Sequence, residues 1–328
     1  MRFSIWPSIH QPWPDILAVA RHAEMTGWDG VWIADHFMPN AGRAQLEDAP
    51  TLEAMSLVAA LAASVPRVRI GTAVLGNTYR HPAVVANMAA TIDHVSVGRF
   101  TLGLGAGWQP NEHTAYGIDL PSVAARVERF EEALAVIHGL LRTSRASFEG
   151  RYYRLDGAVC EPKPIQDPLP ILVGGSGPRM LEITARWADA WNTYGDPRHM
   201  AARSAALTQA CERVGRDPAA ILRTAQALVV LADDNASRAV LADIDRRVQE
   251  SAAKAATGPV MPIIGGTAAQ LRDVFAAYEE AGVGEFIVPD RSLGTGAAKL
   301  ECMDRFLEQV ARPFRSLERP GDFATVGE

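Results

Sequence analysis

The chain has 328 residues and a formal net charge of −6, a balance that repels a phosphate backbone and offers no basic footprint for nucleic acid. Hydrophobic residues make up 48% and charged residues 21%, which excludes a disordered polymer and permits a large buried core. No run approaches the roughly 18 uninterrupted apolar residues that a membrane span needs.

From its first residues, Met1-Arg2-Phe3-Ser4-Ile5-Trp6-Pro7, the chain enters a strand with neither a long apolar stretch nor a small-residue cleavage site, so a cytoplasmic location is expected. Short apolar runs then alternate with segments of helical period, the pattern of repeated βαβ units. The expected strands are Arg2–Trp6, Gly30–Ala34, Val68–Val74, Phe100–Gly105, Pro170–Val173, Ala190–Thr193, Ile221–Val230 and Glu285–Pro289. Runs such as Val31-Trp32-Ile33-Ala34 and Ile171-Leu172-Val173 lack alternation, as expected of parallel strands covered on both faces. Between strands, Phe130, Leu134, Ile137 and Leu141 recur at helical spacing while Glu131 and Glu132 fall on the opposite face.

Eight such units predict an α/β fold, a (β/α)8 TIM barrel over residues 1–312 with rim insertions near 142–168 and 231–265 and a C-terminal tail at 313–328. The first insertion is expected to hold a hairpin around Glu149-Gly150. A doubly wound sheet would carry a Gly-rich turn after its first strand, where this chain has Pro7-Ser8-Ile9-His10-Gln11-Pro12.

Barrel chemistry resides where strands end. After Val31–Ala34 come Asp35-His36-Phe37; His36 can shuttle a proton, or simply cap the strand end through a backbone hydrogen bond. Ile70-Gly71-Thr72-Ala73-Val74-Leu75-Gly76 runs into small residues that let backbone approach a flat ligand, although ordinary barrel packing reads equally well. Gly103-Leu104-Gly105-Ala106-Gly107 also leaves room, and Asn111 just beyond it offers both a donor and an acceptor. Val173-Gly174-Gly175-Ser176-Gly177-Pro178 joins a strand to a helix start through a glycine-rich turn, which is an anion cradle suited to phosphate. Glu112, His113 and His36 lack the spacing of a helical metal motif, and no metal is expected. The three cysteines, Cys160, Cys211 and Cys302, are too scattered for a disulfide framework and are read as packing.

Together, Gly30–Phe37, Ile70–Gly76 with Arg80-His81-Pro82, Gly103–Glu112, Gly174–Gly177, Ala188-Asp189-Ala190-Trp191-Asn192 and Gly282–Pro289 resemble the luciferase-like flavin and deazaflavin oxidoreductase superfamily. The similarity is greatest to the branch that uses the deazaflavin coenzyme F420 in place of FMN. It implies a cofactor at the barrel mouth, a cis peptide between Ala73 and Val74 behind the ring, and phosphate on Gly174, Gly175, Ser176 and Gly177. Asp35, Thr72, Gly105, Gly107 and Asn111 complete the implied cofactor-binding set, and His36 is the implied catalytic residue. A pocket involving Trp6, Trp32 and Trp108 is expected above the ring.

Two departures accompany the resemblance. The glutamate acid of the family's sugar-phosphate dehydrogenases is matched by Trp108, and an aromatic after Phe37 is replaced around Asn40. The histidine and tyrosine that hold flavin phosphate in two-component FMN monooxygenases are matched by Val123 and Val127, which favours the deazaflavin. The expected activity is therefore F420-dependent hydride transfer to or from a small organic substrate. An FMN-dependent two-component monooxygenase and a non-catalytic flavin-binding protein are the alternatives. The resemblance admits a flavin or F420 reductase as partner, and a homodimer.

Overall fold

The computed structural model describes residues 1–39, 50–233, 238–239, 241–243, 246 and 261–315. Eight parallel strands close into a barrel: β1 (Arg2–Trp6), β2 (Gly30–Ile33), β3 (Arg69–Thr72), β4 (Phe100–Gly105), β5 (Ile171–Gly174), β6 (Ala190–Thr193), β7 (Leu222–Gln226) and β8 (Glu285–Pro289). Arg2 pairs with Glu285 to join β1 to β8, and Ile70 pairs with Phe100 to join β3 to β4, so no barrel edge is left open.

Around it lie α1 (Trp13–Thr26), α2 (Ala54–Ser64), α3 (Pro82–Ser96), α4 (Pro110–Ala115), α5 (Val123–Arg142), α6 (Pro178–Trp187), α7 (Pro197–Arg213), α8 (Ala268–Glu280) and α9 (Gly296–Phe306). The apolar stripe of α5 is buried through Phe130, Leu134, Ile137 and Leu141, as its period predicts. Strand residues facing the helices, such as Phe3, Ile5, Phe100 and Phe286, join one large core; a smaller cluster of Trp32, Ala73, Leu172, Ala190 and Ile287, flanked by Trp6 and Val74, fills the barrel interior. β2 and β5, covered on both faces, read as unbroken apolar runs, whereas other strands carry buried polar residues such as Ser4, Thr72, Asn192 and Thr224.

Four expected strands need correction, the second only in ending at Ile33 instead of Ala34. The seventh run, Ile221–Val230, is two strands: β7 ends at Gln226, and Leu228–Leu231 leaves the barrel to pair with Ile263–Gly266. The chain passes from Gln226 through the buried Ala227 into Leu228–Leu231 without a glycine or proline, so the sequence carries no turn signal at the break. The third run stops at Thr72, where the cis Ala73–Val74 peptide intervenes before the two-residue strand Leu75–Gly76 pairs with β4. The fifth begins at Ile171 and reaches Gly174, one residue beyond the apolar stretch.

The hairpin expected in the first rim insertion is formed by Ala146–Glu149 and Arg154–Ala158. Most of the second insertion, Asn40, and residues 316–328 of the expected tail lie outside the described residues.

Candidate active site

The loops after β2, β3 and β4 meet on one carboxylate. Glu112, in the short helix α4, is wholly buried. Its Oε1 faces Nδ1 of His36 at 2.8 Å and accepts a hydrogen bond from the Tyr79 hydroxyl, while its Oε2 accepts from the Phe37 N–H at 2.7 Å. Burial alone would raise the Glu112 pKa, but the hydrogen bond and charge of His36, the tyrosine hydroxyl and the Phe37 amide outweigh it and hold the carboxyl below its usual range. Burial and the adjacent Glu112 push the Tyr79 hydroxyl up, so it stays protonated and donates.

An ionised carboxylate only accepts, so His36 carries its hydrogen on Nδ1 and presents Nε2 to its surroundings. The His36 side chain is 24% exposed, and the ring of Trp108 stands edge-on to it at 5.7 Å. Trp108 itself is largely exposed.

Asp35 is buried beside this group. Its carboxylate receives both guanidinium nitrogens of Arg80, at 2.7 and 2.9 Å, and the N–H of Gly76 at 2.9 Å. Arg80 also binds Glu53 at the start of α2, so Asp35, Arg80 and Glu53 tie the connection after β2 to the one after β3. Thr72 is likewise spent on structure: its hydroxyl donates to Gly103 O and accepts from Gly103 N–H, both at 2.8 Å. His113 turns away from His36, bonding Gln109 O and the Thr78 hydroxyl. Among the described residues no histidine, cysteine or carboxylate cluster could hold a metal ion.

The small residues surround Val74. A Cβ on Gly105 would meet Val74 Cγ2 at 2.8 Å, and one on Gly174 would meet it at 3.0 Å, so both positions are bare where this side chain sits. Gly107 adopts a φ of 83° with Thr78 close behind it. Asn111 donates through Nδ2 to Pro39 O at 2.8 Å, whereas its Oδ1 is buried without a partner.

At β5, the Gly175 N–H is used by Asn192 O. The first intrahelical bond of α6 runs from Leu181 N–H to Gly177 O, which leaves the preceding N–H groups pointing out of the helix start. Gly177 caps α6 without a side-chain bond, Pro178 follows at the first helical position, and a Cβ on Gly177 would meet nothing within 4 Å. Arg203 of α7 reaches the Ser176 carbonyl at 3.4 Å, which adds a cation beside the turn. A helix start with free donors, an open glycine and a nearby guanidinium can receive an anionic group.

A family model of luciferase-like monooxygenases matches residues 1–312. The chain belongs to the luciferase-like monooxygenase family. Among its curated relatives, an F420-dependent glucose-6-phosphate dehydrogenase of Nakamurella multipartita is 38% identical over 195 residues, 59% of this chain and 56% of the relative. An F420-dependent hydroxymycolic acid dehydrogenase of Mycobacterium tuberculosis is 32% identical over 226 residues, 68% of this chain and 60% of the relative. The matches thus span little more than half of these relatives' lengths.

Luciferase-like architecture recurs in solved structures. An F420-dependent secondary alcohol dehydrogenase in complex with an F420-acetone adduct superposes with a TM-score of 0.79 at 22% identity, covering 94% of this chain and 98% of that one. The F420-dependent tetrahydromethanopterin reductase from Methanopyrus kandleri gives 0.79 at 19%, covering 96% and 99%. At such identities the likeness concerns the fold.

The sequence pointed to His36 and the glycine turn, but not to the Glu112 hub. The sequence presents Glu112 only at the end of the Gly103–Glu112 segment and in a trio without metal spacing, and it gives Tyr79 no role. The available signal was positional, since both follow a barrel strand as His36 does.

Proposed function

We propose that this protein is an F420-dependent oxidoreductase acting on a small organic substrate at the barrel mouth. The carrying observation is the conjunction of an anion-ready turn at Gly174–Gly177, the Val74 side chain seated between Gly105 and Gly174, and the hydrogen-bonded His36–Glu112 pair. When bound, the deazaflavin supplies or accepts a hydride.

The residues fit that group. Ser176, Gly177 and the first turn of α6 would hold its phosphate, with Arg203 as counter-charge. Val74, given room by Gly105 and Gly174, would back the ring, and the unpartnered Asn111 Oδ1 would accept a hydrogen bond at its edge. The F420-dependent names of the curated relatives point the same way.

His36 Nε2 would take the proton of a substrate hydroxyl during oxidation, or return it to a carbonyl during reduction. Glu112 fixes the tautomer that leaves Nε2 free and offsets the positive charge that the imidazole gains. Tyr79, held protonated, orients Glu112. The apolar side chains around Trp6 and Ala73 limit water near this exchange.

Fluorescence titration of the purified protein with F420 and with FMN at one ionic strength tests the reading. Tight F420 binding beside weak FMN binding is expected. A preference for FMN overturns it and directs attention to oxygen consumption with a partner reductase.

A further inference from the structure

One interior amide has no role in the site as described. Gln226 is the last residue of β7 and is only 5% exposed, and its Oε1 is fully buried without a hydrogen-bond partner. Buried amide oxygens in folded proteins are nearly always satisfied, so an exception at a strand end calls for a reason.

Its direction follows from the sheet. Gln226 pairs with Ile287, and Ile287 pairs with Ser4; paired residues of parallel strands share a face. Ile287 belongs to the barrel-interior cluster, and the Ser4 hydroxyl bonds Glu285 inside the barrel. Along β7 itself, Leu222 packs on that cluster and Thr224 accepts a hydrogen bond from Asn192, so Leu222, Thr224 and Gln226 all project inward.

Its height follows from the tilt. In an eight-stranded barrel of this kind the register climbs about one residue per strand. Arg69 pairs with Gly30, and the pairing of Ile5 with Val31 carries the row to Ser4, Ile287 and Gln226. Gln226, four strands from Arg69 in the barrel order, therefore stands near the level of Ala73, four residues further along β3. β7 and β3 lie across the barrel from each other. The orphaned amide thus faces the Ala73–Val74 bulge over the mouth.

We propose that Gln226 is a specificity-determining substrate contact, an uncharged hydrogen-bonding anchor that selects a neutral hydroxyl or carbonyl compound; the inference rests on the F420-dependent reading above. The wall it shares is uncharged: Trp6, Ile287 and Pro289 flank it on β1 and β8. Among the described residues, the buried cations Arg80 and Lys299 near the strand ends are neutralised, Arg80 by Asp35 and Glu53, and Lys299 by Asp290. An amide can donate to a carbonyl or accept from a hydroxyl, so it serves either direction of hydride transfer, and a site built on such a bond discriminates against analogues that lack it.

The test uses Gln226→Leu, which keeps the bulk and removes the amide. Three quantities are read on wild type and variant: F420 affinity by fluorescence, the melting temperature of the cofactor-free protein, and KM and kcat with 2-propanol, cyclohexanol and their ketones beside glucose 6-phosphate. The expected result is unchanged F420 affinity, a melting temperature higher by about 2 °C because an unsatisfied buried group is gone, and a KM for the neutral substrates raised about tenfold. A lowered melting temperature with unchanged KM would make Gln226 a structural amide and overturn the inference. Turnover of glucose 6-phosphate in preference to every neutral compound would overturn it as well. Failure of the wild type to bind F420 would instead bring down the functional reading, and this inference with it.

Discussion

In the proposed function the chemistry depends on the His36–Glu112 pair, so substitutions at either residue should be read in kcat. Replacing His36 by Ala removes the proton-exchanging atom, so kcat should fall on the order of 10²- to 10⁴-fold. F420 affinity should be retained, because the imidazole adds no charge or stacking surface to the phosphate turn. Glu112→Gln keeps the shape but can donate to Nδ1, which frees the opposite tautomer; kcat should again fall by about 10²-fold or more. The two substitutions combined should cost little beyond the larger single effect, since they disable one unit. Steady-state kinetics of the two single variants and the double variant checks this; additive losses would mean that Glu112 acts independently of His36. Tyr79→Phe removes one of three donors to Glu112 and should produce a smaller loss, visible mainly as a shifted acid limb of the kcat profile.

Two glycines show how strand and turn divide their tasks. Gly103 lies within β4, where an added Cβ would stand 1.8 Å from Thr72 O. Gly103→Ala must push β3 and β4 apart and break the Thr72 hydroxyl bonds, a loss of about 2–3 kcal/mol or more, measured by denaturant unfolding. Gly177 is the opposite case. Its φ of −65° suits alanine and its Cβ would meet nothing, so Gly177→Ala should leave stability unchanged or raise it by about 0.5 kcal/mol. Weakened F420 binding in that variant would then report on the bound anion alone.

These elements also show what the sequence disclosed. Short runs rich in apolar residues marked all eight barrel strands, most clearly at β2 and β5. The bend after Gln226 was hidden because Ala227 joins two buried segments without a glycine or proline. Gly174–Gly177 was legible because its strand, turn and helix signals are consecutive. Glu112, Tyr79 and His36 were not legible as a group, since they stand in three separate loops and only barrel closure brings them together. Gln226 lay unmarked inside an expected strand.

The whole barrel separates function from stability along its axis. The mouth holds His36, Glu112 and the glycine turn, while the opposite end of the interior is bound by Glu285, the first residue of β8. That carboxylate is wholly buried and accepts from Ser4 at 2.6 Å, Trp32 at 2.9 Å and Arg69 at 2.8 Å, joining β1, β2, β3 and β8 across the interior. Burial would raise its pKa, but the Arg69 charge and the three hydrogen bonds prevail and hold it below the usual range. Glu285→Leu removes the carboxylate that offsets the Arg69 charge and the acceptor of the Ser4 and Trp32 donors, so it should cost about 3–5 kcal/mol at neutral pH. Adding Arg69→Met should recover part of that loss. The pH dependence has a definite sign. A carboxyl whose folded pKa is depressed contributes fully above its unfolded value of about 4.3 and loses that contribution as pH falls through the lower folded value. The stability gap between wild type and Glu285→Gln should therefore be constant from about pH 6 to 8 and narrow as the pH drops below about 4. Melting curves of both proteins across that range measure it. A gap that persists undiminished into acid would mean that Glu285 is held by packing and neutral hydrogen bonds rather than by its charge against Arg69.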